Sequence, residues 1–348
     1  MEDKQYTIKD IAKLCGVSAG TVDRVMHGRS GVSQKSKEKV EAILKEIDYK
    51  PNVFAIGLAA KKHYHMTCLV PAFSENDYWS SVYEGIKRAK EELIQYNISI
   101  DCIHFNYEDI DTFTNAGKQL IEQKPDGAMI VPTTLYTTLQ LAEELKNADI
   151  PFTIIDVAVK DAGELTYIGQ DSFRSGYIAA KTLLRTSSNT EMVMFLSDNR
   201  NGSLEIQMSS RREGFMEYIR KECSNIVVHE VKITPETLHE KLDKLFAEHP
   251  NVKLGVSFNS RIYRVAKYLE EKGIAFERLI GYDLLPQNIE YLKRGVVNML
   301  IGQRPALQSY RAIKALADFT VFKKQPEKIQ YMPIDLLTAD NIEYYIEI

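Results

Sequence analysis

From Met66 onward one pattern repeats: a short apolar run, a loop, then an amphipathic helical stretch. "MTCLVPAF" gives way to "YWSSVYEGIKRAKEELIQYN", and "ISIDCIHFN" to "IDTFTNAGKQLIEQKP". The alternation continues through "GAMIVPTT", "LYTTLQLAEELKNAD", "IPFTIIDV", "LTYIGQD", "SFRSGYIAAKTLLRT", "EMVMFLSD", "SSRREGFMEYIRKE", "IVVHEVK", "TPETLHEKLDKLFAEHP", "LGVSFNS", "RIYRVAKYLEEKG" and "RLIGYD". Strands joined by helices of this length make βαβ units, and such units build parallel sheets. The strands are too many for one comfortable sheet, so two similar α/β halves are expected. Ligands in such sheets sit outside the carboxyl ends of the strands. Between two halves those ends face a common cleft.

That placement singles out polar residues at strand ends. Asn76, Tyr78 and Trp79 follow the first strand; Asp156 ends "FTIID", Asn259 ends "VSFN", Asp283 ends "IGYD" and Gln303 follows "NMLIG". Arg211, in "SSRREGF", is expected at the start of a helix. Carboxylates, amides and a guanidinium bind hydroxyls through several in-plane hydrogen bonds. Tyr78 and Trp79 add flat apolar faces. Together they suit a sugar ring, whose edge is hydroxyl and whose face is C–H. Any one of these residues alone would serve as a turn former or helix cap; their recurrence at successive strand ends is the argument.

Residues 1–62 have a different character. They hold 12 Lys/Arg against 8 Asp/Glu, a net +4, so the remainder of a chain of net charge −4 carries −8. A mildly basic head on an acidic body fits a small nucleic-acid module joined to a domain with other work. The head reads as three short helices. In "TIKDIAKLCG" Thr7 caps, Asp10 lies three residues on, and Ile8, Ile11, Ala12 and Leu14 form an apolar stripe. Gly16 ends this helix. Ser18 caps the next, with Val22, Val25 and Met26 inward, and a third places Val40, Ile43, Leu44 and Ile47 inside. Two helices joined by a short Gly-containing turn are the helix-turn-helix signature. Pro51 breaks the third helix, and "NVFAIGLAAKKHYHM" comes next as a linker or a helix needing support.

Other functions leave no mark. At 348 residues the chain is too long for one core. No run approaches the ~20 apolar residues of a membrane span, and the polar start "MEDKQYTIKD" does not read as a secretory signal. Cys15, Cys68, Cys102 and Cys223 lie far apart with no CxxC pair, as reduced thiols of a cytoplasmic protein do. There is no GxSxG, Walker A, HExxH or strand-linked GxGxxG, so no catalytic residue, cofactor or metal is expected. Asp156 and Asp283 as a glycosidase pair have no support over Asp156 and Asp283 as sugar hydrogen-bonders.

These motifs together resemble the lac repressor (LacI/GalR) family of bacterial transcription regulators. The head matches in "TIKDIAKLCGVSAGTVDRVMHG", in "VSQKSKEKVEAILKEIDYKPN" and at Ala55 and Leu58; the body matches in "SENDYW", "IPFTIID", "GFMEYI", "VSFNS", "LIGYD" and "GQRP". The resemblance runs the whole length. It implies a helix-turn-helix head over 1–50, a hinge over 51–65 and an effector-binding, dimerising body over 66–348. The body would have two Rossmann-like lobes of the type I periplasmic-binding-protein kind, one of about 66–165 plus 287–322 and one of about 166–286 plus 323–348. It further implies a homodimer on a pseudo-palindromic double-stranded operator, with recognition helices about 34 Å apart.

By position, Ala19, Gly20 and Arg24 would face base edges, while Thr7, Ser18, Thr21, Ser33, Ser36 and Asn52 would contact the phosphate backbone. Leu58 would wedge a minor-groove base step. The strand-end residues named above fall where the related proteins hold sugar. Three positions depart from the family. Asp23 stands where Ser is usual, and is open to three readings: cytosine recognition, a tether for Arg24 or Arg29, or a penalty against non-specific phosphate contact. Ile56-Gly57 replaces the usual hinge Arg-Ser, and the glycine weakens a helix by about 1 kcal/mol relative to Ala. Val157 replaces an Arg common in pentose binders. The expected function is an effector-controlled regulator, with repression the family's commoner mode and a monosaccharide or derivative the expected effector. The alternatives are a nucleobase, sugar-phosphate or protein effector, a periplasmic transport protein, and a carbohydrate-active enzyme.

Overall fold

The computed structural model describes residues 6–26, 30–47, 62–185, 187–188, 190–197, 205–223 and 225–345. Two compact units divide the chain, one of residues 1–63 with 94–97, the other of 64–93 with 98–348. Asn52 and Leu58, with Ile56-Gly57, lie outside the described residues.

In the head, α1 (Ile8–Cys15), α2 (Ala19–Met26) and α3 (Gln34–Glu46) enclose Ile11, Ala12, Cys15, Val22 and Val40. The α1 start is a reciprocal capping box. The Asp10 amide donates to Thr7 Oγ1 (3.2 Å) and the Thr7 amide to Asp10 Oδ2 (3.0 Å), satisfying two N-terminal donors. Gly16 closes the helix with φ +61°, a left-handed conformation that costs glycine nothing. Ser18 then caps α2 through the Thr21 amide, and Ser33 caps α3 through the Ser36 amide. One stripe residue is corrected: Leu14 is 50% exposed, and Cys15, one position on, takes the inward place. A repeat of 3.6 residues puts Ile8, Ile11, Ala12 and Cys15 on one face and turns position 14 away.

The body alternates strands and helices as the pattern requires: β1 (Tyr64–Pro71), α4 (Tyr78–Leu93), β2 (Ile98–Phe105), α5 (Ile110–Gln123), β3 (Gly127–Ile130), α6 (Leu135–Asn147), β4 (Phe152–Ile155) and β5 (Thr166–Gly169). Then come α7 (Ser172–Leu184), β6 (Glu191–Ser197), α8 (Glu205–Glu222), β7 (Val227–Ile233), α9 (Leu238–Glu248), β8 (Leu254–Ser257), α10 (Ile262–Glu271), β9 (Arg278–Tyr282), α11 (Pro286–Lys293) and β10 (Met299–Gly302). The chain ends with α12 (Pro305–Thr320), β11 (Ile329–Tyr331) and β12 (Asp335–Leu337). Two six-stranded sheets result, ordered β11-β5-β4-β3-β1-β2 and β12-β10-β9-β8-β6-β7. They share the same strand order, and β12 alone among their strands runs antiparallel to its neighbour. Among the described residues no helix is long and apolar enough to cross a membrane.

The strand pairing moves the lobe boundaries expected at 165/166, 286/287 and 322/323. β5 pairs with β4, and β11 with β5, so residues 166–169 and 329–331 belong to the first lobe. β10 pairs with β9, so α11 and β10 stay in the second. Periodicity marks a strand but not the sheet edge it joins, which depends on a partner far away in sequence. The chain thus crosses between lobes beside Gln170, at Gln303 and beside Pro333.

Helices α7 and α8 pack with their backbones in contact. A Cβ on Gly176 would lie 1.8 Å from the Arg211 carbonyl oxygen, and one on Gly214 would lie 1.9 Å from that of Phe173. The two glycines therefore fix the height of Arg211 against the sheet. Gly176→Ala is expected to cost about 1–3 kcal/mol by overpacking, measured by urea denaturation; unchanged stability would show that the helices separate freely.

Candidate functional site

Both sheets have a switch in strand order at equivalent places, between β1 and β3 and between β6 and β8. A cleft of about 830 Å³ opens there, lined from the first lobe by Asp77, Tyr78, Trp79, Asn106, Tyr107 and Asp156, and from the second by Ser197, Gln207, Asn259 and Asp283, with Gln303 from a crossing. Its position follows the rule for open parallel sheets.

The two aspartates occupy equivalent positions. Asp156 follows β4 and Asp283 follows β9, and each has φ +69°. Asp tolerates the left-handed region better than most residues. The Asp156 amide donates to Gln308 Oε1 (3.0 Å), and its carboxylate accepts from the Tyr78 hydroxyl (2.7 Å) and from Gln207 Nε2 (3.2 Å). Gln303 Nε2 donates to Asp283 (2.7 Å), while its Oε1 accepts from Arg211 Nη2 (2.5 Å). Arg211 is 1% exposed; its Nη1 donates to the Phe258 carbonyl (2.7 Å), and its guanidinium carbon lies 4.0 Å from the centre of the Tyr282 ring. Asn259 donates to Ser197 Oγ (2.7 Å) and accepts from the Arg261 amide. Trp79 packs edge-on to Tyr78 at 4.9 Å and tilts against Tyr107 at 5.3 Å, leaving an aromatic wall.

Of the strand-end residues, Tyr78, Trp79, Asp156, Asn259, Asp283 and Gln303 all line the cleft. Asn76 does not: it is exposed in the turn before α4 with φ +66°, and Asp77 lines the cleft instead. Nor does Arg211, which sits in the second turn of α8 rather than at its start, beneath Gln303. Gln207 was not expected. It lies near the start of α8, and no sequence signal marks it. The segment Thr234–Leu238 was missed too, although it follows β7 just as the chosen residues follow their strands.

The cleft is acidic. Asp77, Glu108, Asp156, Glu236 and Asp283 line it against Arg261 and Arg264. Burial holds the Asp156 carboxyl above its usual range, opposed by the Tyr78 hydroxyl and by Arg211. Burial, then the Asp156 and Asp283 charges, lifts the Tyr78 phenol well above its usual range, so Tyr78 remains a donor. The Arg211 Nε–H has no acceptor among the described residues.

In the head, Ala19, Gly20 and Arg24 are exposed on α2 and Asp23 is half-buried. Thr7, Ser18, Thr21, Ser33 and Ser36 gather at the helix starts, where each hydroxyl serves a cap or a neighbouring hydroxyl.

Residues 7–52 match the family of bacterial regulatory proteins of the lacI type, and residues 67–324 match a periplasmic binding protein domain. A Bacteroides fragilis structure assigned to the LacI transcriptional regulators is 38% identical with a TM-score of 0.77, over 82% of this chain and 100% of that one. Among curated relatives, catabolite control protein A of Staphylococcus aureus is 28% identical over 45% of each chain. The sucrose operon repressor of Staphylococcus xylosus is 30% identical over 51% of this chain and 52% of its own length. The chain spans about half the length of the curated relatives it matches.

Asp156→Asn keeps an acceptor for Tyr78 and Gln207 and removes a buried charge. The wild-type carboxyl has a folded pKa above its unfolded value, so its favourable contribution exists at low pH and is lost as pH rises through the carboxylate range. The variant is expected to have the higher Tm at about pH 7, with the difference closing on acidification. Equal Tm values at neutral pH, or a gap that widens in acid, would contradict this.

Proposed function

The chain belongs to the lacI family of bacterial regulatory proteins, and we propose that it is a sequence-specific DNA-binding transcription regulator, working as a repressor, whose cleft takes a neutral, hydroxyl-rich effector such as a monosaccharide. It acts in the cytoplasm as a homodimer on a pseudo-palindromic operator and catalyses no reaction. The carrying observation is the composition of the cleft: five carboxylates, four amides and a Trp79–Tyr107 wall against two arginines. Carboxylates and amides accept and donate to ring hydroxyls, and the indole face covers C–H bonds. A sugar phosphate would bring its charge into an acidic cleft, while the guanidinium best suited to it, that of Arg211, is buried and engaged by Gln303 and Phe258. The sucrose-related name of one relative agrees with a sugar. A nucleobase is the second reading, favoured by the same aromatic pair.

The effector changes DNA affinity by binding one lobe arrangement better than another, a coupling between two sites. Gln207 from the second lobe already donates to Asp156 of the first. A ligand that takes over these groups alters the balance between open and closed lobes.

On α2, Arg24 is the long exposed side chain beside the small Ala19 and Gly20. In the dimer, α2 enters the major groove and Thr7, Ser18, Thr21, Ser33, Ser36 and Asn52 face phosphates, while Leu58 enters the minor groove. Arg24→Ala is expected to weaken binding to a selected operator by about 1–3 kcal/mol and relax preference at one base pair. Gel retardation with operators selected from random duplexes measures this. Absence of any retarded complex at low salt, with and without sugar, would remove the DNA-binding reading.

A further inference from the structure

Away from the cleft, three ligand-type side chains converge at the opposite end of the second sheet. Glu191 opens β6, His229 lies on the edge strand β7, and His249 terminates α9. Glu191 Oε2 is 3.2 Å from His229 Nε2 and 3.8 Å from His249 Nδ1, and one donor atom from each residue lies within 4.8 Å of the others. The two imidazole rings are 3.9 Å apart at 33°. All three residues are partly buried, His229 most deeply with a side chain 16% exposed.

We propose that Glu191, His229 and His249 bind a divalent transition-metal ion of the zinc class. Two imidazoles with one carboxylate select zinc, cobalt or nickel over magnesium and calcium, which prefer all-oxygen shells. Ligand atoms about 2.0–2.1 Å from a tetrahedral ion are about 3.3 Å apart. The Glu191–His229 separation of 3.2 Å already matches, while His249 Nδ1, 3.8 Å from Glu191 and within 4.8 Å of the His229 ligand atom, closes in when the ion binds. Three protein ligands leave a fourth position for water or a group from another molecule. The arrangement also makes mechanical sense. β7 is an edge strand and pairs with β6 alone, and a shared ion ties it to β6 and to the end of α9. The other end of α9, at Thr237 and Leu238, lines the cleft, so the ion anchors a helix that forms part of the effector site.

The test uses the full chain, without a histidine tag and stripped with chelator. Isothermal titration with Zn²⁺ is expected to give about one equivalent bound, and Co²⁺ to give visible d–d absorption of a four-coordinate site. Glu191→Gln and His249→Asn are each expected to lower Zn²⁺ affinity at least about tenfold. His239→Asn, which alters an exposed histidine of α9 outside the cluster, is expected to bind as the wild type does. Circular dichroism and metal-free Tm confirm that each variant folds. No binding by the wild type, unchanged affinity in either cluster variant, or an equal loss in His239→Asn would overturn the proposal. Those outcomes would make the cluster a carboxylate hydrogen-bonded to His229, with His249 stacked beside it.

Discussion

The side-chain amide of Gln170 donates to the carbonyls of Gly302 and Pro333, both at 2.7 Å. These three residues stand on the three passages of the chain between lobes. One amide, 2% exposed, therefore ties every crossing to the others. A buried carbonyl left unpaired costs about 1–3 kcal/mol, so separating the crossings carries that cost. Gln308 extends the knot, donating to the Gln303 carbonyl and accepting from the Asp156 amide. The lobe crossings and the cleft floor are thus one hydrogen-bonded structure, which joins Asp156 directly to the passages between the lobes.

Around this knot the fold has to settle a buried guanidinium. A desolvated charge persists only when paired and fully hydrogen-bonded. Arg211 meets most of that demand with the Phe258 carbonyl, the Tyr282 ring and Gln303, which passes the polarity on to Asp283, while its Nε–H has no acceptor among the described residues. Its height is fixed by the glycine contacts of α7 and α8. The consequence is functional: the strongest cation near the cleft is used from below, and the surface offered to a ligand is rich in carboxylates and amides. Charge placement, more than fold, is what the proposed preference for a neutral hydroxylated ligand rests on.

The parallel sheets were legible because helical and strand periods alternate without interruption, and the cleft lining was legible because the strand ends of such sheets face the cleft. Asp156, Asp283, Asn259 and Gln303 followed from that rule. What escaped depended on long-range pairing. The edges joined by β5, β10 and β11 are set by partners far away in sequence, and this displaced the lobe boundaries. Gln170 and Gln207 carry no local signature; an amide inside a helix or after a strand becomes structural only when distant carbonyls arrive. Asn76 falls outside the cleft lining, in an exposed turn with a left-handed backbone, because a turn residue and a cleft residue look alike beside a strand in sequence. Leu14 was misplaced by a single step of the helical repeat.

Trp79 is the sole tryptophan of the chain and lines the cleft, so its fluorescence reports on the site without a label. Titration with neutral monosaccharides and with their phosphates compares the two ligand classes on the same protein. A saturable change with at least one neutral sugar, and none or a far weaker one with its phosphate, is the predicted result. Saturation by the phosphate, with every neutral sugar silent, would contradict the account of an acidic, hydroxyl-reading cleft.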